Sequence, residues 1–405
     1  MADEEDARHL EDYVMLILSD SNLPTGGFIA SAGLESYYSH GFMTYDQKPG
    51  VPTQQTLTER SVDFVEFSLG NYVTSVLPYI HAAQLIAVRY LDSVAPGPNR
   101  AKKYVTKQAA PEKAAPLKAK SVTARYYFSR RPNALTMLPQ STSEMDVGTE
   151  ARKEPLASKP IPEQPPTLDE TLKALAALDW HHHTLLLNHV SRRASMIQGI
   201  ALLSLFARSF AQPAPIAGEH ALDPRAEAAR VLIERLRKNI RRGSAKLNNG
   251  AMSLFPGDGE MAGHLPICAG VFGLAAGLSI DRALHLNLFL QARNLMSCSI
   301  RLNTLGPYMA HQLLSFQLRD IVQRQMNSLD REAGARLYAY AIQASLSSGS
   351  NPDPPQENLE QQTWDWDWPE EDATFDTVHY PFTSWPLGEV IQARHDQLHS
   401  RLFNS

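Results

Sequence analysis

The sequence predicts an all-α protein, a single multi-helix globular domain with a long disordered insertion. Three observations lead there. Apolar residues recur at helical spacing over most of the 405 residues, helix-start signals precede several of these stretches, and no convincing run of alternating strand-like residues occurs. Residues 10–92 and 167–405 are read together as the domain, 93–166 as the insertion and 350–372 as an acidic loop containing tryptophans.

An apolar helix near the start leads into Ser19-Asp20-Ser21-Asn22-Leu23-Pro24-Thr25-Gly26-Gly27-Phe28. Pro24 keeps Leu23 out of helical geometry, and Gly26 and Gly27 can take positive φ, so a turn between helices is expected, with Asp20 or Asn22 as the next cap. Phe64, Phe67, Tyr72, Val76, Tyr79, Ile80 and Leu85 then follow a helical period, with Pro78 as a kink or a join. From Ser93 to Pro166 the chain holds 11 of its 27 prolines and no sustained period, the composition of disorder. Arg100–Arg131 is strongly basic, which fits a tether for an anion or a solvated linker.

Order resumes at Thr167-Leu168-Asp169-Glu170, a capping box, and helical sequence runs to about Ala211. Met196, Ile200, Leu203, Ala207 and Phe210 form its apolar seam, and because its other flanks are apolar too the helix is expected at the centre. Asp223-Pro224 opens another helix, with Ala226, Ala229, Ile233, Leu236 and Ile240 buried, Arg237, Lys238, Arg241 and Arg242 beside the negative end of its dipole, and Gly243 ending it. Further helices are read at about 264–278, 281–302, 308–329, 331–347 and 386–400. Between the last two, Asp353–Asp372 holds eight acidic residues and neither Lys nor Arg, including WDWDWPEED. That stretch fits either an acidic linker or a segment that docks on a basic surface.

Composition removes several functions. The net charge of −5 gives no overall basic surface for nucleic acid. The acidic start lacks signal-peptide and transit-peptide features, and Leu265–Leu278 is too short to span a bilayer, so a cytoplasmic protein is expected. Cys268 and Cys298 fit buried thiols better than a disulfide framework. The Gly26-Gly27 turn is followed by Phe28, with no Gly-Lys-Ser/Thr for a nucleotide phosphate, and Ser31 lacks a nucleophile elbow. His181-His182-His183 is the most metal-like cluster, yet adjacent helical histidines point about 100° apart; only His182 and His189 lie roughly two turns apart on one face. No catalytic set, metal site or cofactor is assigned.

The turn, followed by Gly33-Leu34-Glu35, resembles the N-terminal signature of the urease accessory protein UreF family. Asn188–Gly199, with Arg193, Ser195 and Gln198, is similar to that family's N-x-x-x-x-R-x-S-x-x-Q-G segment; Gly263-His264-Leu265-Pro266, Asn294–Ser297 and Arg301–Gly306 follow its second half. Arg401-Leu402-Phe403-Asn404-Ser405 resembles its terminal R-L-F-R-S. Pro307 and His311 depart from the glutamines usual in bacterial members, and Asn404 from an arginine.

The resemblance implies an all-α, non-enzymatic adaptor, commonly a homodimer. Such an adaptor joins a UreD-like protein (UreH in some organisms) and the GTPase UreG on apo-urease to deliver nickel, with nickel only in transit and GTP bound by the partner. It implies partner contacts at Phe28, Glu35, Arg193, Gln198, Arg401, Leu402 and Phe403, and structural roles for Pro24, Gly26, Gly27, Gly33 and Gly306. A second reading makes Arg193 or Gln198 a finger that regulates the GTPase, their alternative role being packing and capping within their helix. A free-standing Ser/His hydrolase is the remote third. The tail either docks on the UreD-like partner through Phe403 and Arg401 or folds back onto its own core.

Overall fold

The computed structural model describes residues 2–20, 23–44, 54–95, 164–211, 223–248, 260–347 and 380–404. All belong to one compact unit, and among them there are helices and turns but no strand. Most of the insertion and the acidic tryptophan segment lie outside the described residues.

The helices are α1 (Ala2–Leu18), α2 (Leu34–Ser39), α3 (Gln54–Ser75), α4 (Leu77–Val94), α5 (Leu168–Leu185), α6 (His189–Leu205), α7 (Pro224–Asn248), α8 (Leu265–Ala275), α9 (Ile280–Arg301), α10 (Pro307–Ser315), α11 (Gln317–Asn327), α12 (Arg331–Ser347) and α13 (Pro386–Ala393). A short 3-10 turn, Gly27–Ile29, precedes α2, and another, Arg394–Gln397, follows α13.

The central element is α4. Its residues from Leu77 to Ala87 are buried without a break, and α5, α7, α8, α9 and α12 pack around it. Pro78 sits in its first turn, where a missing N–H costs nothing, so the proline marks a join of two helices. The closest partner, α8, is apolar almost all round, and Gly270 lets it lie against α4: a Cβ there would stand 2.7 Å from the carbonyl oxygen of Ile80.

Several sequence readings need correction. The stretch expected to run unbroken to Ala211 is two helices, because Asn188 caps a new one by accepting from the amides of Val190 (2.9 Å) and Ser191 (3.4 Å). His182 and His189 therefore do not share a helix face. Nor is α6 central: Gly199, Leu202, Leu203, Leu205 and Phe206 are buried, whereas Ile197 and Ile200 are about 40% exposed. Its apolar residues surround the helix, so their pattern could not choose the inward face. Phe316 separates α10 from α11, and the last helix stops at Ala393. Gly243 does not end α7; a Cβ there would meet the carbonyl oxygen of Met261 at 2.1 Å, so the glycine serves close packing. The capping box at Thr167 forms as expected, and Cys268 and Cys298 are free and buried. Among the described residues no helix is long and apolar enough to cross a membrane.

Candidate functional site

The two ends of the described chain meet. The turn after α1 takes a left-handed residue at Gly26 (φ 75°) and another at Gly33 (φ 87°), which begins α2. Gly27 has no positive φ, contrary to expectation. A Cβ there would stand 2.6 Å from Asn294 Nδ2, so the end of that side chain would have to shift to admit one. Pro24 is exposed before the turn, and the residue at the cap position is Gly26, not Asp20; the other expected cap, Asn22, lies outside the described residues.

The turn and α2 receive the C-terminal tail. Glu35, expected on a surface, is buried at 4% exposure and points inward. Its carboxylate accepts from the backbone amides of Leu402 and Phe403 (3.1 Å) and from His395 Nε2 at 2.9 Å. A carboxylate can only accept here, so His395 carries its hydrogen on Nε2. Three donors replace the water that burial removes, and without them a buried carboxylate would be strongly unfavourable. The amide of Asn404 donates to the carbonyl of Ile29 at 2.9 Å, closing the tail onto the turn.

Phe403 is also internal, 3% exposed. Its ring lies on one side of the Arg301 guanidinium, 4.1 Å from the centroid to Cζ, and Phe28 lies near the same group at 3.9 Å. The tail therefore folds back onto its own domain. The surface expectations for Glu35 and Phe403 fail because local sequence does not show the partners they find far along the chain: residues 395–403 for Glu35, and Arg301 and Glu35 for Phe403. Phe28 (59%) and Leu402 (58%) remain exposed at the edge.

Asp396 organises the rim. It accepts from Arg193 Nη1 (3.0 Å) and Nη2 (2.9 Å), from His189 Nε2 (3.1 Å) and from Arg401 Nη1 (2.9 Å). The arginine hydrogen bonds hold its carboxyl well below the usual range. Arg193 also donates to the carbonyl of Asn404 at 3.2 Å. Gln198 lies apart from this network, packed under Gly26 and lining a cavity of about 150 Å³ with Asn294, Gln291, Glu389 and Gln392. Gly306 stands at the N-cap of α10 with φ −74° and open space around it, while Asn303 takes the left-handed position of that loop (φ 57°).

A second constellation supports α8. Asp179, wholly buried, accepts from the amides of Ala262 (2.6 Å), Gly263 (3.0 Å) and His264 (2.8 Å), just before that helix starts. Burial pushes its pKa up to about 6 despite these bonds. His183 Nδ1 meets His264 Nε2 at 3.0 Å, and His182 lies edge-on to His264 with centroids 5.1 Å apart. Burial lowers the pKa of His182 to about 3 and of His183 to about 4. Their rings stack as core side chains, and among the described residues no group of three or more histidine, cysteine or acidic side chains is placed to hold a metal ion.

A family model for UreF matches residues 166–316. A curated fungal protein, urease accessory protein 6 of Cryptococcus neoformans var. grubii, is 30% identical over 412 residues, covering 98% of this chain and 97% of the relative.

The chain belongs to the UreF family.

The UreF match begins at the start of α5 and ends at Phe316 between α10 and α11, so it contains Asp179, Arg193, Gln198 and Arg301. The turn, Glu35 and the tail lie outside it. Sequence reading of this UreF chain found Arg193 and the tail but gave no role to Asp396, His395 or Arg301. His395 and Asp396 stand in HDQLHSRLFNS, where a histidine-acid pair ahead of an apolar terminus was the available signal. Arg301 opened a block that resembled the family, but its local setting, a cation at the end of a helix, is ordinary and showed no partner.

Proposed function

We propose that this protein is a non-enzymatic urease maturation factor. It bridges a UreD/UreH-like protein and the UreG GTPase on apo-urease and so promotes GTP-dependent insertion of nickel, the cargo of the reaction. The observation that carries this reading is end-to-end similarity to a fungal urease accessory protein. The geometry supports a non-catalytic role, because the glycine turn packs against Asn294 and Gln198 and is closed by the tail.

The partner face proposed is the edge where tail and turn meet. Phe28, Leu402 and the half-exposed Arg401 are its contacts, and Glu35 and Phe403 hold it in shape from inside. In the regulator reading Arg193 acts on the GTPase; its guanidinium is already engaged by Asp396 and Asn404, so that role requires it to leave both. The protein works in the cytoplasm as a homodimer within the complex.

The test is genetic and chemical together. Removing the gene from its host should abolish urease activity while apo-urease still accumulates without nickel, and restoring the wild-type chain should recover both activity and metal content. Urease that is fully active and nickel-loaded in the deletion strain would overturn the proposal.

A further inference from the structure

The helix α7 is divided by charge. Before Arg235 both arginines have carboxylate partners: Arg225 meets Asp92 at 2.5 Å, and Arg230 meets both Glu227 and Glu234. From Arg235 to Arg242 there are five cations and no acid, and among the described residues no ion pair involves them. Lys238 lies opposite the buried Leu232, Ile233, Leu236 and Ile240, with Arg241 and the half-buried Arg237 on one side of it and Arg242 and Arg235 on the other. Arg208, at the end of the turn that follows α6, approaches the same place: with burial as the larger cause, Arg241 and Arg208 depress the Arg237 pKa, while Glu234 opposes them. One or two cations would satisfy the helix dipole; this many, close enough to repel, call for an anion.

The anion with matching chemistry is in the same chain. Residues 353–372 carry eight acidic side chains and no cation, and Trp364, Trp366 and Trp368 alternate with Asp365 and Asp367. Arginine takes carboxylates through its fork and indole rings on its face, so alternating Asp and Trp suits an arginine-rich helix better than a lysine-rich one. The lengths permit it. The segment leaves α12 at Ser347 and the described chain resumes at Tyr380, giving 32 residues that can extend on the order of 100 Å. A single helix, α5, packs against both α12 and α7.

We propose that the cationic face formed by Arg208, Arg237, Lys238 and Arg241 is an intramolecular docking site for the acidic Trp/Asp segment 364–372 of this chain.

Zero-length carbodiimide cross-linking of the full-length protein at low concentration, followed by peptide mass spectrometry, tests this. The expected product joins Lys238 to a carboxylate of Asp365–Asp372, within one chain in a mixture of isotopically light and heavy protein. Its yield should fall at least tenfold in Arg237→Glu/Arg241→Glu, and independently in Asp365→Asn/Asp367→Asn, each checked for native helicity. The proposal fails if Lys238 gives no such product in wild type, if the product joins light chains to heavy ones, or if these carboxylates instead couple to the lysines of 102–120. Loss of the wild-type product on adding an RNA or an acidic protein fragment, with the yield insensitive to the two double variants, would also overturn it by assigning the face to another ligand.

Discussion

Truncating Phe403 to alanine distinguishes a tail that belongs to the fold from one that awaits a partner. The ring is 3% exposed and stacks on Arg301. Removing a buried phenylalanine side chain costs about 3–5 kcal/mol, and loss of one guanidinium face adds about 0.5–2 kcal/mol. The site is near a chain end, where local rearrangement relieves part of the cavity, so we take about 3 kcal/mol. At roughly 2–4 °C per kcal/mol for a domain of this size, the isolated protein should melt about 6–12 °C lower by circular dichroism. Leu402→Ala, at a neighbouring exposed position, should stay within about 2 °C of wild type. If Phe403→Ala melts with wild type, the ring is not packed in the free protein, and the clamp built on Glu35 is wrong in solution.

Glu35→Gln should lower stability by about 1–3 kcal/mol in urea titrations, since the amide puts donors against buried N–H groups; a silent variant would show that the carboxylate is not buried there. Gly26→Val should destabilise by about 1–3 kcal/mol through positive φ, whereas Gly27→Ala, which displaces only the end of the Asn294 side chain, should cost less than about 1 kcal/mol; a Gly27→Ala variant less stable than Gly26→Val would show that Asn294 cannot move. Acid should weaken the fold. His81 and His183 are lowered to about 4 and His182 to about 3, so between pH 6.5 and 4 the unfolded chain binds protons that the folded one refuses, and stability falls with pH by up to ~1.4 kcal/mol per unit per histidine. Asp179, raised to about 6, acts in the opposite sense between pH 6 and its unfolded value of 3.8 and offsets one of them. The urea midpoint should therefore be lower at pH 5 than at pH 7, and equal midpoints would mean solvated histidines.

The helices were legible because amphipathic stripes and caps are local. Ala229, Ile233, Leu236 and Ile240 on α7, and Leu284, Leu288, Ala292, Leu295 and Ser299 on α9, are buried as their spacing requires. Where apolar residues cover every side, as on α6, periodicity carried no direction, and α4 rather than α6 occupies the centre. The site was legible only as pieces. The turn, Arg193 and the tail each stood out, but Glu35 looked like a surface acid because the donors that allow its burial are nearly a chain length away. Gly27 and Gly306 show the same limit: a glycine's reason lies in its neighbours, and these neighbours are remote or absent.

Because Glu35 completes its bonding with His395, Leu402 and Phe403, the turn and α2 cannot close until residues 395–403 have been made. A gap of 360 residues, at about 5–20 residues per second of synthesis, leaves the carboxylate waiting on the order of 20–70 s. Throughout that interval the turn keeps its water and the Gly33–Leu34 start of α2 has nothing to close on. A chain that stopped before His395 would keep nearly all its helices and have an unfinished edge, so closure of that edge shows that synthesis has passed Phe403.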